Sequence, residues 1–403
     1  MSKLLALFIL ILSTTAHGAV WTVTRSWTPA DEDRFAVFLE KEWQTDVFTN
    51  PQSKLYGIKT DCADAVYAAR AVFAAREGLP VQFSDVTRSG SYFTQAMTRW
   101  DSQPQDQRVR SFIIYISDMV STYTLESDTY PVTIDKQYFK PGVIFLSPIL
   151  TESQRRATGF HGGHAEYIKS IDDIGFSEAI SSTSPKAVRT LSLNKNPYMA
   201  PFTLNGGFRK WRQPGQFGVS NSALPGYGMD QFKLADWAPL KLITRRQIYQ
   251  WHESIRRLMR TRVPSFDERV DIVVDSICSL LTTRAELVID GWSKVTKNGN
   301  QCLPPDLADE YSTDTRDQRI RGSYFQLGDL YDWKKREDGD DIMGSVEDAQ
   351  PKLEKCQIQY WPGRFMNTWE LWARVRDGQL ASSAYYAPAV RWGFRAPNGK
   401  DCR

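Results

Sequence analysis

The stretch Leu55-Tyr56-Gly57-Ile58-Lys59-Thr60-Asp61-Cys62-Ala63-Asp64 decides how the front of this chain is read. Asp61 is a strong helix N-cap, and Asp64, three positions on, resembles the acidic half of a capping box. Val66, Ala69 and Phe73 then form an apolar stripe at helical spacing, and Gly78-Leu79-Pro80 is a stop signal. The spacing predicts a helix over 62–78 with Cys62 in its first turn. Unpaired backbone N–H groups and the positive end of the helix dipole favour an anion there, so a thiol at that position is disposed to act as a nucleophile.

Cysteine parity points the same way. The chain has five cysteines, an odd number, so two disulfides leave one thiol over. Cys278, Cys302, Cys356 and Cys402 crowd the last third and are the disulfide candidates, with Cys62 left free. Of the three pairings, Cys278–Cys302 with Cys356–Cys402 closes the shorter loops.

Disulfides suit an exported protein, and residues 1–18 read as a secretory signal. Lys3 precedes the apolar run Leu4 to Leu12, and Ala16-His17-Gly18-Ala19 offers small residues for cleavage near Gly18. That run is well short of the ~20 residues that span a bilayer, and no later segment is apolar enough to do so. The expected mature protein is periplasmic or secreted, with no transmembrane segment.

A length of 403 residues suggests two domains, taken here as 19–240 and 241–403. Lys and Arg total 50 against 47 Asp and Glu, a balance that argues against a dedicated nucleic-acid binder. Thirteen tryptophans point to large buried side chains. Thr28 and Pro29 open a helix carrying Phe35, Phe38, Leu39 and Trp43, after a β-rich stretch Val20–Thr24. A further helix is expected over 106–122. Strands follow at 143–146, 165–171 and 176–182. Residues 194–240 are rich in Gly, Pro, Asn and Ser and read as one long loop. From 241 the pattern is helical, over 244–262, 266–296 and 305–337, and the seven basic residues of 241–262 read as a solvated face.

A nucleophilic cysteine needs a base, and beyond residue 18 there are three histidines. His252 sits mid-helix among charges. His161 and His164 flank a tight turn in Phe160-His161-Gly162-Gly163-His164-Ala165-Glu166-Tyr167. His164 opens a strand, where paired backbone holds it while the imidazole projects from the edge, which suits a general base. His161 lines the site or simply occupies the turn. The pair spans two glycines and has no third ligand nearby, so no metal is expected.

These segments resemble the papain-like bacterial cell-wall hydrolases of the NlpC-type and CHAP amidohydrolase/peptidase families. There an aromatic-Gly pair precedes Asp-Cys at a helix start. Lys140-Pro141-Gly142-Val143-Ile144 resembles the families' Pro-Gly strand entry, and Gly163-His164-Ala165 with Ile168 to Ile171 their base-bearing strand. The helix 62–78 with Gly78-Leu79-Pro80 is also similar to the transglutaminase-like core. The resemblance covers about residues 55–185. It implies an α+β fold, a Cys-bearing helix on a small antiparallel sheet, followed here by a mainly helical, disulfide-braced C-terminal region.

The activity it implies is cofactor-free acyl transfer on an amide of peptidoglycan or another envelope peptide, with Cys62 as nucleophile and His164 as base. Ser181, Ser182 and Thr183 occupy the third position, for which Ser182 is taken, with Asp172 or Glu178 as alternatives. Tyr56 is the implied second oxyanion donor beside the Cys62 N–H, and Asp61 and His161 border the site. Arg209 and Trp211, in the loop 194–226, are expected to cover the cleft and meet substrate. The alternatives are a non-catalytic envelope-binding protein on the same scaffold and a transglutaminase-like enzyme acting on proteins.

Overall fold

The computed structural model describes residues 19–153, 162–195, 201, 203–236 and 245–403. Within it Asp61 caps as its neighbours require. Its Oδ1 accepts from the Asp64 N–H at 3.1 Å, and Asp64 Oδ2 accepts from the Asp61 N–H at 3.0 Å. The first helix, α1 (Pro29–Val37), runs on into a π-turn at Phe38–Glu42. The capped helix is α2 (Cys62–Glu77), closed by Gly78 at φ 65°. Its alanines let neighbours approach on nearly every side. Phe35 and Phe38 pack there, as do Phe112, Ile113 and Ile116 of α3 (Gln105–Ser117) and Ala165 and Tyr167 of the sheet.

A small hairpin, β1 (Gln82–Ser84) with β2 (Tyr92–Thr94), separates α2 from α3, and α4 (Thr122–Asp128) leads into the sheet. That sheet is antiparallel and six-stranded. Its strands are β3 (Thr129–Pro131), β4 (Ile144–Ile149), β5 (Gly162–Ile171), β6 (Ser177–Ser181), β7 (Ser192–Lys195) and β8 (Gly207–Trp211), in the order β3-β8-β4-β5-β6-β7. Alternation along β5 divides the molecule. Ala165 and Tyr167 face α2, where the Tyr167 hydroxyl donates to the Val66 carbonyl at 3.0 Å. His164, Glu166 and Ile168 face the other way, and Ile168 packs with Phe145, Phe208 and Trp251.

Helices from the second half cover that other face. They are α5 (Arg245–Met259), α6 (Phe266–Lys297), α7 (Pro305–Tyr311) and α8 (Asp314–Glu337). Trp251, Ile255 and Met259 of α5 meet the sheet, while α6 and α8 build a separate apolar core. Buried Arg284 ties these parts together: its Nε donates to Asp317 Oδ1 at 2.6 Å and its Nη2 to the Arg391 carbonyl at 3.0 Å. No helix among the described residues is long and apolar enough to cross a membrane.

Four expectations need correction. Val20–Thr24 forms no strand; the Val20 N–H donates to the Gln95 carbonyl and the Trp21 indole to that of Leu79, so these residues dock as single anchors. The 194–240 segment is not one loop, because β8 lies inside it and is paired on both sides; its Gly-rich entry and basic residues hid it. The 305–337 helix is two, broken at Ser312 and Thr313.

The disulfides are Cys278–Cys356 and Cys302–Cys402, not the short-loop pairing. Cys278 lies within α6, which continues to Lys297 and carries the chain about 29 Å away at ~1.5 Å per residue. The partner it meets instead leads into the hairpin of β9 (Gln357–Trp361) and β10 (Arg364–Asn367). The C-terminal tail lies beside 300–302, with Cys302 N–H donating to the Arg403 carbonyl, and so delivers Cys402.

Candidate functional site

Cys62 and His164 come together through the backbone. Sγ of Cys62 donates to the Gly163 carbonyl at 3.6 Å and accepts from the Ala165 N–H. The thiol therefore rests on the chain immediately before and after His164. The imidazole itself points to the opposite face, and no hydrogen bond joins it to the thiol. Cys62 is only 3% exposed, and burial followed by the charge of Asp61 pushes its pKa up to about 12. A helix N-terminus lowers a thiol pKa where solvent also stabilises the anion; here desolvation wins.

His164 is 5% exposed and held by groups that the sequence pattern did not bring forward. Arg319 of α8 reaches its Nε2 at 2.5 Å and also donates to Ser181 Oγ at 2.8 Å. A guanidinium has donors only, so Nε2 is the lone-pair nitrogen and Nδ1 carries the proton. Glu166 Oε2 lies 3.5 Å from the same Nε2 and 3.9 Å from Arg319 Nη2. Burial and then the Arg319 charge lower the His164 pKa, against the pull of Glu166. Burial alone raises the Glu166 pKa, but His164 and Arg319 together hold it below the ordinary value. The site at rest is a neutral thiol, a neutral imidazole and a Glu166–Arg319 ion pair.

Ser182 turns towards Thr60, donating to its carbonyl at 3.0 Å and accepting from its hydroxyl at 3.1 Å. It anchors the loop before Cys62, and Ser181 is the serine in the His164 network. Asp172 builds the β5–β6 turn, accepting from the N–H groups of Ile174 and Phe176. Glu178 pairs in register with Ser170, at the far end of β5 from His164. Tyr56 is 48% exposed and no contact links it to Cys62. His161 lies outside the described residues.

Arg209 and Trp211, expected over a cleft, are interior. Arg209 donates to Thr129 Oγ1, to its carbonyl and to those of Asn205 and Glu126, which occupies its fork. The Trp211 indole donates to the Tyr167 hydroxyl at 2.7 Å. Both side chains belong to β8, so sheet formation carries them inside.

Glu166 was within reach of sequence reasoning, since residues two apart on a strand share a face. Arg319 was not: it is 155 positions from His164 and only packing brings it there.

Asp64 supplies a pH test. Burial and then the charge of Asp61 raise its pKa to about 7, despite Lys186 Nζ at 3.6 Å. The folded state thus keeps a proton that the unfolded chain releases near 3.8, and stability falls as pH rises from about 4 to about 7. Asp64→Asn is expected to remove that share of the slope in urea midpoints measured from pH 4 to 8. A smaller decline remains from Asp128, raised by burial to about 6. An unchanged slope in the variant would contradict the assignment.

No family model, curated protein or solved structure matches the chain.

Proposed function

We propose that the chain is an extracytoplasmic thiol hydrolase that cuts an amide bond of peptidoglycan stem peptides on a papain-like core. The observation that carries this reading is the seat of Cys62 Sγ on the backbone either side of His164, whose ring meets the buried Glu166 carboxylate. Two disulfides fit an oxidising compartment, and residues 1–18 as a signal peptide account for export.

In this mechanism the His164 ring first turns from its α8-facing position towards Sγ. It then takes the Cys62 proton as Sγ bonds to the carbonyl carbon, and the imidazolium protonates the leaving amine. Water, deprotonated by the same imidazole, cleaves the thioester and restores the thiol. The Cys62 N–H, in the first turn of α2, faces the developing oxyanion. Glu166 orients the ring and steadies its charge once Nε2 is protonated. Arg319 must release Nε2 before this cycle starts.

Burial of Sγ favours a second reading, a non-catalytic binding protein on the same scaffold. Incubation with defined stem peptides separates the two. Hydrolysis products are expected from the native chain and at least about 10³-fold less from Cys62→Ala. Peptide that binds both proteins and is released uncut by both would leave the binding reading.

A further inference from the structure

Arg319, at the imidazole, is one of a group of arginines to which the hydrolytic cycle gives no chemical step. Arg316 is 3% exposed, and its Nε and Nη1 have no hydrogen-bond or ion-pair partner among the described residues. It stands one turn from Arg319 on the same face of α8. Arg189 closes the group from the segment after β6, with one nitrogen donating to the Pro185 carbonyl. Nε and Nη1 of all three are buried and without a partner among the described residues. Ser192, opposite Ser181 in the β6–β7 register, adds a buried hydroxyl in the same condition.

Such an arrangement is costly as it stands. An unpaired buried charge is strongly destabilising, and here three like charges are gathered. Burial, then Arg189 and Arg319, force the Arg316 pKa down to about 9. The nearby carboxylates are engaged elsewhere: Asp317 holds Arg284, and Glu166 lies against Arg319. Glu310, Asp309 and Asp61 reach Arg189 only through longer-range attraction. Among the described residues no carboxylate is within ion-pair distance of Arg316. An oxyanion whose oxygens accept single hydrogen bonds from these free Nε and Nη1 groups would supply the missing partners.

We propose that Arg189, Arg316 and Arg319 form a buried oxyanion site that takes the carboxylate of a peptide ligand next to Cys62 and His164. The choice of a peptide carboxylate rests on the thiol-hydrolase reading; the anion site itself does not. A bound carboxylate draws Arg319 away from His164. Nε2 can then carry the ring proton towards Glu166, which moves the lone pair to Nδ1 with no net change in charge. The same anion that fills the site thereby frees the imidazole.

The test is thermal unfolding of the full chain at pH 7.5 and constant ionic strength. The probes are N-acetylalanine, N-acetylalaninamide, inorganic phosphate and sodium chloride. N-acetylalanine is expected to raise Tm by about 3 °C at ~100 times its dissociation constant, and the amide and chloride to leave it unchanged. Arg316→Met is expected to be at least as stable as the native chain in chloride and to lose the response. Equal Tm values in N-acetylalanine and its amide overturn the proposal, as does an Arg316→Met chain that still responds. A rise with phosphate alone overturns the carboxylate and assigns the site to free phosphate. If the variant does not fold, the native titration decides by itself. Repeating the titration in Cys62→Ala keeps the two ideas apart. A response there without peptide turnover in the native chain retains the anion site and removes the hydrolase, and turnover with no response does the reverse.

Discussion

Iodoacetamide at pH 8 is expected to label Cys62 in the native chain about 10³-fold more slowly than in the chain unfolded in urea. The thiolate is the reacting form, and a thiol held near pKa 12 has about 10⁻⁴ of it at that pH. An ordinary thiol, near 8.5, has about a quarter. The low-dielectric seat of Sγ, the charge of Asp61 and, less, that of Asp64 raise the pKa, so the rate should climb tenfold per pH unit well past pH 9. Limited access at 3% exposure slows labelling further. Fast labelling at pH 7 would mean that the thiolate is already formed and that the neutral resting pair is wrong. The slow result is compatible with catalysis only if ligand opens the site, which ties this measurement to the anion titration.

Removing either disulfide should cost about 4–5 kcal/mol, because the loops they close are long. The sequence separations are 78 for Cys278–Cys356 and 100 for Cys302–Cys402. In the chain-entropy account the bridge acts by restricting the unfolded ensemble, and the cost grows with the logarithm of loop length. Urea unfolding of Cys278→Ser/Cys356→Ser and Cys302→Ser/Cys402→Ser measures each loss. A non-reducing peptide map is expected to recover a 278–356 pair. Recovery of Cys278 with Cys302 would contradict the placement of both on opposite sides of the second half of α6. A loss below 1 kcal/mol would mean that the unfolded chain is restricted without them.

The front of the molecule was legible because its signals are local. The Asp61–Asp64 box, the stripe of Val66, Ala69 and Phe73 and the Gly78 stop act within one or two helical turns, so the helix follows from near neighbours. The strand read at 165–171 and its return at 176–182 were legible across a four-residue turn, although the observed strand begins earlier, at Gly162. β8 escaped because its residues are basic and glycine-flanked. Their burial depends on carbonyls of Glu126, Thr129 and Asn205 that only the folded sheet supplies.

The sequence by itself determined the capped helix bearing Cys62, the strand bearing His164, and the set of cysteines available for bridging. Each rests on interactions between residues a few positions apart. Tertiary structure alone decided what those groups became. It buried the thiol until desolvation outweighed the helix N-terminus, and turned the imidazole towards α8. It also gathered three buried arginines, with no carboxylate at ion-pair distance from Arg316 among the described residues, and paired Cys278 with Cys356. The physical reason is common to all four. Burial and long-range pairing depend on which surfaces meet when the sheet is covered on both faces, and no local period encodes that.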